Sequence, residues 1–159
     1  MGAAPDRRWR YNYGATAEEV TRPLPGDDLL PGPDVLSTRA VTIEAPPSSV
    51  WPWLVRLGGD SLSIAPWPAH MRIESCQPEH DLVLSSPDGT WVWTLSLSVV
   101  WLMTRLISRN RIVLAGQRTA RLVTEPERLV AERRLLRDIK HRAEAIAPTA
   151  ACPYPLPRR

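Results

Sequence analysis

A chain of 159 residues, 43% apolar and 23% charged, can bury a single core and has the balance of an ordinary globular domain. The net charge of +3 rests on 20 basic side chains, all arginine except Lys140, and the 17 acidic residues are interleaved with them, which argues against a nucleic-acid surface. Cys76 and Cys152 are too few and too far apart for a disulfide framework and are read as free thiols.

The first 30 residues contain no continuous apolar run of the kind a secretory signal needs, so a cytoplasmic location is the expectation. Residues 1–36 carry Pro5, Pro23, Pro25, Pro31 and Pro33 with Gly26 and Gly32, and read as an extended Pro-rich N-terminal arm with at most a turn of helix between Thr16 and Val20. Residues 38–45 alternate Ala40, Thr42 and Glu44 against Val41, Ile43 and Ala45, which predicts a strand ended by Pro46 and Pro47. Ser48 or Ser49 can then cap a short helix whose apolar face is Val50, Trp53, Leu54 and Leu57, with Gly58 and Gly59 as its stop. Pro52 falls early enough in that helix to be tolerated.

Residues 71–76 and 81–86 read as two strands joined by a turn at Gln77, Pro78, Glu79 and His80, and Pro87, Asp88, Gly89 and Thr90 turn the chain into the next strand. The apolar run 91–107 is short for a helix crossing a hydrocarbon core of about 30 Å. Its first half alternates, with Trp91, Trp93, Leu95 and Leu97 on one face and Thr94, Ser96 and Ser98 on the other, as a half-buried strand requires, so no transmembrane segment is expected. A further strand over 104–114 sets Leu106, Ser108, Asn110 and Ile112 against Arg105, Ile107, Arg109 and Arg111.

Residues 124–147 predict a long helix, with Thr124 and Glu127 as a capping box around Pro126. Leu129, Leu136, Ile139, Ala143 and Ile146 recur at helical spacing, and Glu132, Arg133, Arg137, Lys140 and Glu144 are assigned to solvent. Asp138 with Arg142 and Lys140 with Glu144 make i,i+4 pairs. Residues 148–159 form a Pro-rich disordered tail, which leaves 37–147 as the domain.

The order of strand, Ala45-Pro46-Pro47 turn, helix from Val50 to Gly58, antiparallel meander and a terminal helix through Glu132 and Glu144 resembles the SRPBCC group of the START-like, helix-grip superfamily. It is similar, more narrowly, to actinobacterial members described as polyketide cyclase- or dehydrase-like. The central hairpin from Met71 to Leu84, the Asp88 to Trp93 block and the Thr104 to Arg111 block carry the resemblance as well, which spans 13–144 in separate blocks. It implies an α+β fold, an antiparallel sheet curled around a long C-terminal helix, enclosing a mostly apolar cavity for a lipid or polyketide-like molecule. It also implies a Gly- and aromatic-rich stretch, another helix and another strand after the first helix. Here the short connector from Gly59 to His70 stands in their place, an internal deletion that removes one wall of the cavity. The apolar run from Ser98 to Met103 stands where a polar hairpin turn is expected.

No nucleophile elbow, phosphate loop or dinucleotide fingerprint occurs, and His70, His80 and Cys76 beside a turn lack a fourth ligand at useful spacing, so neither metal nor cofactor is expected. The expected function is binding of a small hydrophobic ligand, lined by Trp53, Trp91, Trp93, Leu95, Asn110, Leu136 and Ile139. Cyclase- or dehydratase-type chemistry is the alternative and requires a buried carboxylate or histidine facing the cavity. A third reading is a truncated, non-binding remnant that self-associates as a homodimer through the patch from Val99 to Met103.

Overall fold

The computed structural model describes residues 11–58, 71–114 and 126–146. They form helix α1 (Ala17–Thr21), strand β1 (Val35–Ile43), helix α2 (Pro47–Val55) with a 3-10 turn (Arg56–Gly58), strands β2 (Arg72–Gln77), β3 (Asp81–Ser85), β4 (Trp91–Val100) and β5 (Met103–Ile112), and helix α3 (Pro126–Ile146). The five strands make one antiparallel sheet in the order β1-β5-β4-β3-β2. The meander from β2 to β5 follows the expected turns, and β1 closes on β5, pairing Val35 with Ile112 through to Ile43 with Thr104.

One sheet face meets α3 and α2. Ile43, Leu95, Leu97, Leu106 and Ile112 from the sheet, Val50 and Leu54 from α2, and Leu135, Leu136, Ile139 and Ala143 from α3 form a single buried cluster. The period of two along the strands and of 3.6 along α3 converge there, because each element has one apolar side to remove from water. The i,i+4 pairs Lys140–Glu144 and Arg142–Asp138 hold the outer side of α3 at 2.6 and 2.8 Å.

The other sheet face is covered by the arm. Residues 12–34 cross it with α1 as their regular structure, and β5 presents three arginines to them. Arg105 binds Glu19 at 2.7 Å, Arg109 binds Asp27 at 2.7 Å and donates to the carbonyls of Glu19, Val20 and Arg22, and Arg111 donates to the carbonyl of Leu30. Leu24 packs on Ala40 and Ile107, and Thr94 donates to the carbonyl of Pro25. Gly26, at φ +87°, lies where a Cβ would come within 2.6 Å of Val83 Cγ1. Strand β4 is consequently buried on both faces from Trp91 to Leu97, and the half-buried strand expected from its alternation is corrected by this cover.

Two local expectations change. The short helix starts at Pro47 with Pro46 as its N-cap and no side-chain cap bond; Pro47, fixed in φ and lacking an N–H, occupies the first turn and puts Ser48 and Ser49 inside the helix. The β4–β5 hairpin turns through Trp101 and Leu102 alone, both 89% exposed, with Trp101 at φ +58°. A positive φ at the first central residue is the need that glycine ordinarily meets in a two-residue hairpin. Thr124 of the expected capping box, the connector 59–70 and the tail 148–159 lie outside the described residues.

Candidate functional site

The helix-facing side of the sheet is mostly apolar at the α2 end, where buried Thr104 donates to the Ala45 carbonyl, and polar at the end below the start of α3. On β4, Trp91 and Trp93 point at α3; on β5, Asn110 stands opposite Trp93 and Ser108 opposite Leu95, so each indole reaches diagonally to its partner. Trp91 Nε1 donates to Asn110 Oδ1 at 3.0 Å and Trp93 Nε1 to Ser108 Oγ at 2.8 Å. Both partners then donate to one carboxylate oxygen of Glu132, Ser108 Oγ at 2.6 Å and Asn110 Nδ2 at 3.0 Å. The other oxygen receives Arg39 NH1 at 2.6 Å, and both side chains of that ion pair are almost wholly buried.

The expected solvent position of Glu132 is therefore corrected. Leu129, Glu132, Leu136, Ile139, Ala143 and Ile146 run at alternating spacings of three and four along the helix, so Glu132 falls inside the apolar stripe. The signal was present in the spacing. A carboxylate there takes the buried side because Arg39, in phase with Val41 and Ile43 on β1 and opposite Ser108 in register, supplies the compensating charge. Burial pushes the Glu132 carboxyl above the usual carboxylate range, against the downward pull of Arg39, Ser108 and Asn110.

The structure places the seven expected lining residues in or beside one buried cluster, Trp53 at its partly exposed side. Trp91, Trp93, Leu95, Leu136 and Ile139 belong to the one buried cluster, and Asn110, 3% exposed, lies within hydrogen-bond reach of Trp91. Trp53 packs against the same cluster from α2, half-buried, with the guanidinium groups of Arg56 and Arg142 at 5.1 and 5.2 Å from its ring. Ser108, Glu132 and Arg39 complete the polar group that those residues surround. Chemically the cluster offers amide, hydroxyl and indole groups of fixed direction, and one buried carboxyl able to exchange a proton.

Elsewhere, Cys76 is an exposed free thiol, and no helix among the described residues is long and apolar enough to cross a membrane.

No protein-family model matches the chain, and no curated protein does. Solved structures do. The Aha1 dimer from Colwellia psychrerythraea superposes with a TM-score of 0.50 at 12% identity, over 69% of this chain and 96% of that one. An AHSA1-like protein from Rhizobium etli gives 0.49 at 19% identity over 79% and 90%, and a polyketide-cyclase-like protein from Corynebacterium glutamicum 0.40 at 16% over 69% and 85%. The likeness is one of fold. An antiparallel sheet gripping a long C-terminal helix, opened by a strand and a short helix, makes this an α+β protein of the helix-grip fold shared by SRPBCC-type proteins.

Proposed function

We propose that the chain binds a small hydrophobic molecule, lipid or polyketide-like, between the helix-facing side of the sheet and α3. Trp91, Trp93, Leu95, Leu136 and Ile139 would supply the apolar contact, Trp53 would stand at the margin, and Asn110 would orient a polar atom of the ligand. The observation that carries this reading is the confinement of the polar side chains Ser108, Asn110, Glu132 and Arg39 to one end of an otherwise apolar layer. Apolar walls with a few convergent polar groups are the composition of a small-molecule site. Thermal unfolding with fatty acids, sterols and aromatic polyketides, followed by tryptophan fluorescence, tests it: one ligand class is expected to raise the transition, by an amount that grows with its concentration. A transition indifferent to every ligand counts against it.

Glu132 favours a second reading, cyclase- or dehydratase-type chemistry on the same ligand. A buried carboxyl that desolvation pushes above its ordinary range is a candidate proton carrier. Under this reading Glu132→Gln retains ligand-induced stabilisation and abolishes turnover of a polyketide-like substrate. Turnover unchanged in that variant removes Glu132 from any such role.

A further inference from the structure

A hollow lies where α3 crosses the outer edge of β1. Its volume is about 270 Å³, close to the lower end of small-molecule pockets, and Tyr13, Ala40, Val41, Arg133, Leu136, Arg137, Lys140 and His141 line it. Ala40, Val41 and Leu136 make an apolar floor, and the four basic side chains come from successive turns of α3. The Tyr13 ring forms the opposite side, fixed by the arm: its backbone carbonyl accepts from Ala40 N–H at 3.2 Å, and the Arg133 guanidinium stacks 4.0 Å from the ring centre while donating to the Tyr13 hydroxyl.

The charge pattern around Arg137 is the second observation. Every helical neighbour of Arg137 at three or four positions is basic: Arg133, Arg134, Lys140 and His141. The like charges of Arg133, Arg134 and Lys140 at this spacing destabilise a helix unless a counter-charge relieves them. The acids of α3 answer other partners, Asp138 pairing with Arg142 and Glu144 with Lys140. Among the described residues Arg137 is exposed and has no acidic partner.

We infer that this hollow is a binding site for a small organic anion, a carboxylate or phosphate carried on a compact apolar body, with Arg137 as its principal charge contact. The floor selects the body and the cations select the head. Asp138, Glu144 and Glu44 stand beside the basic group, with Glu144 also accepting from the Glu44 backbone N–H at 2.7 Å, so the positive surface is too short for a polyanion. The inference does not depend on the ligand site under α3, from which it differs in everything except Leu136.

Phenyl phosphate titrated into the full-length protein, followed by amide chemical shifts in NMR, tests it. Saturable shifts are expected along 133–141 and at Ala40 and Val41, with the indole N–H signals of Trp91 and Trp93 unmoved. Arg137→Glu, a change at an exposed position, is expected to weaken binding at least about tenfold, Arg137→Lys much less. Inorganic phosphate and benzyl alcohol each supply one half of the ligand and are expected to bind at least about tenfold more weakly. Equal shifts with inorganic phosphate, or binding indifferent to Arg137→Glu, overturn the assignment. So does binding to vesicles of anionic phospholipid without saturable binding of phenyl phosphate, which would mark a membrane-facing patch instead.

Discussion

Arg39 and Glu132 meet at 2.6 Å in the core, 93 residues apart in sequence, with the carboxylate also held by Ser108 and Asn110. An ion pair so deeply buried is a weak source of net stability but a strong liability when halved, because each charge was desolvated on condition of the other. Arg39→Met or Glu132→Leu alone is expected to cost about 3–5 kcal/mol in urea unfolding, and the double variant far less than the sum. Additive losses would show that the two side chains do not act as a pair.

The arm is expected to fold as part of the sheet rather than to hang from it. Arg109 ties strand β5 to Asp27 and to three arm carbonyls, so Arg109→Leu removes the cation and leaves those acceptors without their donor. A loss of about 3 kcal/mol is expected, with new proteolytic cleavage confined to 11–34. Cleavage unchanged from the parent would mean that other contacts suffice to hold the arm.

Gly14 tests the closest approach of arm to sheet. It sits at φ +74°, and a Cβ there would be 2.3 Å from the backbone oxygen of Ala40. Gly32, at φ +68° with open space around it, isolates the conformational part of the cost. Gly32→Ala is expected to destabilise by about 1 kcal/mol and Gly14→Ala by about 2 kcal/mol or more. Equal effects would leave backbone conformation as the whole explanation at both sites.

Acid is expected to loosen the arm. The hydrogen bonds from Arg105 hold the Glu19 carboxyl at about 2, down from 4.5, so the folded state keeps it ionised where the unfolded chain would protonate it. The stabilisation is complete above about pH 4.5 and is lost as pH falls from there towards 2. Glu132 acts in the opposite sense: its raised value makes its contribution fall as pH rises. Pepsin cleavage within 11–34 should therefore increase between pH 4.5 and 2, and Arg105→Gln should show that cleavage already at the upper end. A pH-independent cleavage pattern in the parent would remove Glu19 from this role.

The hairpin tip offers a test of self-association. Trp101 holds a left-handed backbone conformation at 89% exposure, beside Leu102 at 89% and Val99 at 65%. Trp101→Gly is expected to leave stability unchanged or raise it by up to about 1 kcal/mol, since glycine adopts that conformation without the Cβ clash. If the tip joins two copies of the chain, the same variant, and Trp101→Ser with Met103→Ser, will sediment as monomer where the parent is a dimer. A parent already monomeric, or variants that remain dimeric, would dismiss the tip as an interface.

Local pattern determined much of this molecule. The proline turn at Pro46 and Pro47, the alternation of β4 and β5 and the stripe from Leu129 to Ile146 depend on neighbours within a few residues, so strands, short helix and long helix were legible with small shifts at their ends. The pairing of Trp91 and Trp93 with one face was legible too, since side chains alternate strictly along a strand. Tertiary structure decided what those faces meet. Whether Glu132 faces water or core depends on a cation on β1, and whether the arginines of β5 face solvent depends on an arm some eighty residues earlier, as Arg109 to Asp27 shows at a separation of 82. Periodicity identifies a face but carries no record of its partner, because burial and charge compensation are properties of chain segments brought together only by folding.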